Sequence, residues 1–188
     1  ETISAAIGQG YVTVTPLQMA SLVGTVANNG VSYRPRLVQA VMDRMSGNLQ
    51  ELPAVPRGKI NAKPETFRVI KDALADVVTK GTATRAKSSM VTIGGKTGTA
   101  QVAALRTGPE ENIPKKFRDH AWFVAFAPVE SPKIAVAVLA EHMGHGGAAA
   151  APLAKEVIET YMKLAPQVPA VTSDLSGVNR SERSAKDS

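Results

Sequence analysis

The 188-residue sequence contains no cysteine, few aromatic residues and no long apolar run. Without cysteine, disulfide bonds are excluded, and redox chemistry gives no information about the cellular compartment. Aromatic residues make up only 4% of the chain, so the core must be built from Ala, Val, Leu and Ile. No stretch approaches the roughly 18 apolar residues of a membrane-spanning helix, and no signal peptide opens the chain. Because Glu1 stands where an initiator Met would be expected, we interpret the start as a cut within a longer protein.

The rest of the composition is typical of one soluble globular domain, with 44% hydrophobic and 20% charged residues. The formal net charge is +6, which is compatible with a nucleic acid, an anionic surface or an acidic substrate as partner. The charges are scattered, and the short clusters are residues 115–118 and the C-terminal tail. A nucleic-acid site usually shows a clustered basic stripe. We therefore expect a solubilising surface and no nucleic-acid partner.

Three helices are predicted. The first has Thr15 as N-cap, Pro16 at the first helical position, Gln18 completing a capping box, and Gly30 suited to the left-handed C-cap. The second opens at residues 64–65 and is stopped by Gly81. The third follows the glycine-rich residues 144–147 and ends before residue 166. Apolar residues at helical spacing mark the faces expected to be buried: Met19, Leu22, Val23 and Val26; Phe67, Ile70, Leu74, Val77 and Val78; Leu153, Val157, Ile158 and Tyr161.

Strand patterns fill the space between these helices. Residues 36–56 alternate weakly around the turn 46–48 and predict a small β-hairpin. Three further strands are predicted at 91–102, 121–127 and 133–140. The last two are nearly continuous apolar runs joined by a short link, which favours antiparallel neighbours in a sheet covered on both faces. The predicted fold class is α+β, with helices packed on an antiparallel sheet.

Two segments are predicted to be irregular. Residues 105–120 form a long polar loop, and loops of this length are usually functional or disordered. Residues 165–188 are rich in Pro, Ser and charge, and we expect them to form a disordered tail behind a domain at residues 1–164.

The strongest local signal is Gly-Gly-Lys-Thr-Gly-Thr-Ala at residues 94–100. A phosphate-binding P-loop needs a Gly, four residues and then Gly-Lys-Thr, followed at once by a helix. The first of those glycines would stand at position 90, which holds Met90, and the residues after the motif have a strand pattern. We therefore reject the P-loop.

The same residues match the Lys-Thr-Gly element of the penicillin-binding and β-lactamase superfamily. Lys96 would place a cation beside an active serine and attract an anionic substrate. Gly98, which has no side chain, would let a substrate lie flat against the strand edge. The hydroxyls of Thr97 and Thr99 could bind a carboxylate, and the Thr99 N–H could stabilise an oxyanion. An isolated Lys-Thr-Gly is equally compatible with an ordinary strand that carries a bulge.

Further segments occur in the order and spacing of one family. They are residues 7–10 with 15–20, residues 81–83, residues 95–101, residues 120–123 ending in Ala127-Pro128, and residues 147–152. With these segments the chain resembles class B penicillin-binding proteins over residues 3–164. Glu141-His142 and the His-Ala-Trp-Phe sequence at 120–123 are more similar to the elongation-type enzymes than to the division-type ones.

The resemblance implies a serine D,D-transpeptidase. In that family a serine attacks the D-Ala-D-Ala bond of a peptidoglycan stem peptide, an acyl-enzyme forms, and an amine of a neighbouring stem completes the crosslink. β-Lactam antibiotics mimic D-Ala-D-Ala and trap the acyl-enzyme. No cofactor or metal is expected. The resemblance also implies an upstream helix anchored in the cytoplasmic membrane, a domain on its outer face, and a membrane glycan polymerase as partner.

Two of the three family motifs are missing from the chain. No Lys has a Ser three positions before it, and the nearest sequences, at residues 84–87 and 160–163, have Thr there and read as a surface turn and a helix end. Ser-x-Asn occurs once, at 46–48, but the pattern indicates a turn and follows Gly-Gln-Gly, whereas the family motif precedes it. We expect the nucleophile with its helix, and the first two strands of a partial transpeptidase fold, to lie upstream of Glu1. The chain alone should then be inactive and should expose apolar surface.

Other interpretations remain open. A β-lactamase or D,D-carboxypeptidase, and a non-catalytic binding module or β-lactam sensor of the same fold, would share these residues, and the upstream sequence would decide between them. His142 and His145 are spaced like metal ligands, but no carboxylate or thiol motif completes a site. We expect them to be loop histidines, and we expect Trp122 to pack in the core. Lys115, Lys116 and Arg118 could border the substrate cleft, because the resemblance places the loop at residues 105–120 near it, but we favour a solvated charge run.

Overall fold

The computed structural model describes residues 8–9, 12–102 and 113–164. In chain order the elements are α1 (Pro16–Ala27), β1 (Val31–Tyr33), β2 (Ala40–Met42), β3 (Leu49–Glu51), β4 (Pro56–Lys59), α2 (Pro64–Thr79), β5 (Gly94–Ala100), β6 (His120–Ala127), β7 (Ile134–Ala140) and α3 (Gly146–Leu164). Single 3₁₀ turns lie at Thr84–Ala86 and Lys115–Phe117. The mixture of helices and antiparallel strands confirms the predicted α+β class.

The predicted capping signals of α1 are confirmed. The Gln18 amide donates to the Thr15 hydroxyl at 3.2 Å, and the Thr15 amide donates to the Gln18 side chain at 2.8 Å, with Pro16 in the first turn. Asn29 and Gly30 both have positive φ, at 51° and 90°, where the chain leaves the helix. The chain direction after α1 is therefore set locally.

The predicted buried face of α1 is confirmed at Val23 but not at Leu22. Val23 and Ala27 are buried beside the polar Thr25, whereas Leu22 is 54% exposed. Thr25 can be buried because its hydroxyl donates to the Ser21 carbonyl at 2.7 Å, one turn back in the same helix.

The predicted hairpin is confirmed as β2 and β3, which pair antiparallel with Val41 opposite Gln50. Its turn is held by Asp43, whose carboxylate accepts from the Met45 amide at 2.8 Å, and Gly47 has φ of 70°. These hydrogen bonds lower the pKa of the Asp43 carboxyl. A second ribbon, β1 with β4, was not anticipated from the sequence.

Strand β6 lies in the centre of a three-stranded antiparallel sheet with the order β5-β6-β7, as the sequence predicted for β6 and β7. The odd-numbered residues of β6, such as Phe123 and Ala125, lie in a core cluster with α3 and with Val78 of α2. Phe126, on the other face, clusters with Val23 and Ala27 of α1. Both faces of the sheet are therefore covered, which confirms the inference from the apolar runs.

The predicted buried stripe of α3 is wrong except at Ile158. Leu153, Val157 and Tyr161 are 47%, 48% and 38% exposed, and the fully buried residues are instead small: Ala150, Ala151 and Ala154. The cause is a close approach of the helix to the sheet. A Cβ on Gly146 would lie 2.1 Å from the Trp122 carbonyl oxygen, so only small residues fit at this interface.

The remaining boundaries differ in detail. β5 begins at Gly94 rather than 91, and His120 belongs to β6 rather than to the preceding loop. Residues 103–112 of that loop and the predicted tail at 165–188 lie outside the described residues, and the division into a domain and a tail stays a prediction. No helix in the described part of the chain combines the length and apolar character needed to cross a membrane.

Candidate active-site strand

The four residues at 96–99 lie on β5, at one edge of the sheet. Lys96 is exposed, and Thr97, Gly98 and Thr99 are partly exposed. The strand continues to Ala100 and is not followed at once by a helix, as a phosphate-binding P-loop would be. The structure therefore agrees with the rejection of a P-loop from the motif spacing. An edge strand with accessible backbone can bind an extended peptide.

The glycines of β5 are required by the aromatic rings of β6. A Cβ on Gly94 would lie 2.8 Å from the Phe126 ring, and one on Gly95 would lie 2.5 Å from the Phe123 ring. Any larger residue would push the strand away from the sheet. The two glycines therefore let the strand run flat across two buried rings just before Lys96.

The Lys96 ammonium reaches along the strand and donates to the Thr97 carbonyl at 2.9 Å. Within the described residues, the ion pairs involve other groups, Lys80 with Asp76 and Lys155 with Glu159. Lys96 therefore keeps a positive charge at the open edge without a carboxylate partner from the described part of the chain. Such a charge can attract an anionic substrate.

Thr97 is connected to a second family segment. Its hydroxyl lies 2.9 Å from the hydroxyl of Thr82, which follows α2 and its glycine Gly81. One of the two must donate to the other, so part of the hydrogen-bonding capacity of Thr97 is used inside the protein. The Thr99 hydroxyl makes no hydrogen bond to the described residues and has more capacity left to bind a carboxylate.

The backbone of Thr99 faces the open edge of the sheet. Its carbonyl accepts at 2.8 Å from the side-chain amide of Gln9, which lies outside the three-stranded sheet. In an antiparallel strand the N–H and C=O of one residue point to the same side. The Thr99 N–H is therefore directed outward, where it could donate to an oxyanion.

A second group of residues lies where β6 begins and β7 ends. The His142 amide donates to Nδ1 of His120 at 2.9 Å, the two rings are 4.5 Å apart, and Nδ1 of His142 lies 3.1 Å from the Arg118 carbonyl. These contacts tie the two loops at this end of the sheet together. Among the described residues there is no cluster of three or more His, Cys, Asp or Glu side chains that could hold a metal ion.

The remaining candidates from the sequence lie elsewhere. Ser46-Gly47-Asn48 forms the turn of the β2–β3 hairpin, which is a separate sheet from β5, so the turn interpretation is confirmed. Lys115 and Lys116 are exposed in the 3₁₀ turn, and the Lys116 ammonium lies 5.0 Å from the Phe117 ring centre.

Comparison with known proteins agrees with this geometry. Residues 1–159 match the family described as penicillin binding protein transpeptidase domain. The chain belongs to this family. It is 38% identical to the peptidoglycan D,D-transpeptidase MrdA of Acinetobacter baumannii over 167 residues, which cover 86% of this chain and 24% of that protein. It is 36% identical to MrdA of Haemophilus influenzae over 176 residues, 89% of this chain and 27% of that protein.

Solved structures of the family superpose on most of the chain. One is penicillin-binding protein A from M. tuberculosis as its ceftriaxone acyl-enzyme complex, with a TM-score of 0.68 and 32% identity over 83% of this chain and 34% of that one. Another is penicillin-binding protein 2 of Pseudomonas aeruginosa, with a TM-score of 0.66 and 34% identity over 86% of this chain and 33% of that one. The chain thus spans about a quarter of the curated relatives and a third of the solved chains, and the elongation-type resemblance is confirmed.

Sequence reasoning missed two side chains that contact β5. In the sequence, Gln9 stands out only as part of the family segment 7–10, yet its side chain donates to the Thr99 carbonyl of β5. Thr82 stands out only as part of the segment 81–83, yet its hydroxyl lies 2.9 Å from that of Thr97. The available signal was a long amide side chain between two glycines, a site where the backbone leaves room for close approach.

Proposed function

We propose that this chain supplies the Lys-Thr-Gly strand of a serine D,D-transpeptidase that crosslinks peptidoglycan stem peptides. The carrying observation is the arrangement at the open edge of β5, where an exposed Lys96 ammonium and an outward-directed Thr99 N–H lie three residues apart along the strand. Family membership and the acyl-enzyme complex of a structural neighbour support the same chemistry.

In the proposed reaction a serine oxygen attacks the carbonyl carbon of the D-Ala-D-Ala peptide bond. The C–O bond forms, the carbonyl oxygen becomes an oxyanion, and the Thr99 N–H donates to it. The C–N bond then breaks, the D-Ala amine leaves with a proton, and a serine ester remains. An amine of a second stem peptide attacks that ester, forms the crosslinking amide and returns the proton to the serine.

The other residues of the strand would bind the substrate. The Lys96 charge attracts the terminal carboxylate of the stem peptide, and the Thr99 hydroxyl can donate a hydrogen bond to it. Gly98 has no side chain that would stand between the strand and a bound substrate. A Cβ at this position would also lie only 3.2 Å from the Trp122 Cβ. The Thr97 hydroxyl already shares a hydrogen bond with Thr82, so only its remaining hydrogen-bonding capacity is available to the substrate. In this scheme Thr97 mainly holds the strand in place.

The nucleophile of this scheme is a serine of a Ser-x-x-Lys motif, and the 188 residues contain none. The proposal therefore places the serine, its general base and the Ser-x-Asn motif in other polypeptide sequence. It follows that the chain by itself should be inactive. The proposal further assigns the domain to the outer face of the cytoplasmic membrane, with a lipid-linked glycan as the source of stem peptides and a membrane glycan polymerase as partner. The peptidoglycan enzymes among the relatives support this setting.

Covalent labelling by a fluorescent penicillin, followed by denaturing electrophoresis, tests the proposal. A polypeptide that carries this chain together with a Ser-x-x-Lys segment should be labelled, and the 188-residue chain alone should not. Lys96→Gln in the longer polypeptide should slow labelling by about tenfold or more, because the attracting charge is lost. Labelling of the chain alone would contradict the assignment of the serine, and unchanged labelling of Lys96→Gln would contradict the role of the strand.

The matched control is Lys80→Gln. Lys80 is an exposed lysine that pairs with Asp76, one turn earlier in the sequence, and it lies at the end of α2 rather than on β5. Its labelling rate should equal that of the unaltered protein. A similar slowing in both variants would show a general effect of net charge instead of a role for Lys96.

A further inference from the structure

The outer edge of β5 is held by one side chain from a distant part of the sequence. The Gln9 side-chain amide donates to the Thr99 carbonyl at 2.8 Å, and the Gln101 amide donates to the Gln9 side-chain oxygen over a longer distance of 3.5 Å. The sequence separation is 90 positions between Gln9 and Thr99 and 92 positions between Gln9 and Gln101. Within the described residues, β5 has a strand partner only on its other side, β6.

The carboxamide of Gln9 therefore occupies the place of a neighbouring strand. In a parallel pair, one residue accepts from and donates to two groups that lie two residues apart on the facing strand. Gln9 makes the same pair of contacts to Thr99 and Gln101 with a side chain instead of a backbone. A side-chain clamp of this kind holds the edge locally and does not itself occupy the N–H of Thr99.

We propose that Gln9 is a positioning residue, whose carboxamide clamps the outer edge of β5 and thereby aims the Thr99 N–H at the reacting carbonyl of the substrate. This inference rests on the proposed function. Edge strands lack the restraint of a second neighbour, and an oxyanion donor is effective only when it is held near its final geometry. Fixing the Thr99 carbonyl restricts the rotation of the same residue whose N–H must meet the oxyanion.

Gln9 touches neither substrate nor nucleophile in this scheme, so its effect should appear in the acylation step. In the polypeptide that carries a Ser-x-x-Lys segment, Gln9→Met should lower the limiting rate constant of acylation by fluorescent penicillin by about tenfold to a hundredfold. The dissociation constant of the non-covalent complex should stay within about twofold, because Lys96 and Thr99 still bind the carboxylate. Gln9→Glu keeps the length and the acceptor but lacks the donor, and it should be impaired as much as Gln9→Met.

Two further measurements separate positioning from a merely structural role. The final labelled fraction of Gln9→Met should match that of the unaltered protein, since the variant is folded but slow. Backbone deuterium exchange over residues 99–101 should accelerate in Gln9→Met. The control Gln50→Met places the same substitution on the exposed strand β3 of the separate hairpin, and its acylation rate should not change.

Each result decides between the two proposals. If the unaltered polypeptide is not labelled, the proposed function fails, and the clamp fails with it. If it is labelled and Gln9→Met reacts at the same rate, the clamp alone is wrong. A reduced labelled fraction with an unchanged rate constant would also overturn the clamp, because it would mean that Gln9 only supports folding.

Discussion

The hydroxyl of Thr82 lies 2.9 Å from the hydroxyl of Thr97, so the segment after α2 is tied directly to the Lys-Thr-Gly strand. Removing either hydroxyl breaks the same hydrogen bond. In a double-mutant cycle on the chain, Thr82→Val and Thr97→Val should therefore show a coupling free energy of about 0.5–1 kcal/mol. The measurement is denaturant unfolding of the single and double variants.

The control pair combines Thr82→Val with Thr66→Val. Thr66 is exposed in the first turn of α2, at the opposite end of that helix from Thr82. Its substitution should change the free energy of unfolding by less than about 0.5 kcal/mol and should add independently. Additive behaviour of the Thr82 and Thr97 variants would mean that the hydroxyl contact does not stabilise the protein.

The first residue of α3 packs directly on the backbone of the sheet. A Cβ on Gly146 would lie 2.1 Å from the Trp122 carbonyl oxygen and 2.6 Å from the Gly98 carbonyl oxygen. Gly146→Ala must therefore displace the helix from the strands, and it should lower the free energy of unfolding by about 3 kcal/mol. Gly58→Ala is the matched control, because its Cβ would meet nothing within 4 Å, and its effect should stay below about 0.5 kcal/mol. Equal effects of the two substitutions would refute the close approach.

Sequence reasoning predicted the elements whose signals are local. The start of α1 follows from Thr15, Pro16 and Gln18, which lie within one turn, and the edge placement of Lys96 follows from strand pattern and family motif. The contact of Gln9 with β5 could not be predicted, because hydrogen bonds between residues some 90 positions apart depend on how the elements pack. Local sequence signals predict helices and strands, whereas contacts between distant side chains depend on how those elements pack in three dimensions.

Glu130 lies in the turn between β6 and β7, where the Thr92 hydroxyl donates to its carboxylate at 2.5 Å. This hydrogen bond lowers the pKa of Glu130 below the ordinary 4.5 of a glutamate, and a backbone hydrogen bond adds to it. Since the folded-state pKa is depressed, the stabilisation is present above the unfolded pKa and is lost as the pH falls through the folded pKa. Thr92→Val should therefore raise the pKa of Glu130.

The measurement is NMR titration of the Glu130 carboxyl carbon in both proteins. The control residue is Asp43, in the turn of the separate β2–β3 hairpin, whose lowered pKa should not respond to Thr92→Val. An unchanged pKa of Glu130 in the variant would show that the Thr92 hydroxyl is not the cause of its depression.

The face of α3 that stabilises the chain is the one made of small residues, not the one made of large ones. A sequence pattern ranks residues by apolar character and predicts that Leu153 and Val157 are buried, but it contains no information on how near the helix lies to the sheet. Because that distance is short, Ile158 is fully buried and Leu153 remains 47% exposed.

Ile158→Ala should lower the free energy of unfolding of the chain by about 3 kcal/mol, through lost burial and the cavity left behind. Leu153→Ala, the matched control on the same helix, should change it by less than about 0.5 kcal/mol, since alanine also favours the helix. Denaturant unfolding of both variants measures the difference, and a larger effect at Leu153 than at Ile158 would restore the stripe that the sequence pattern predicted.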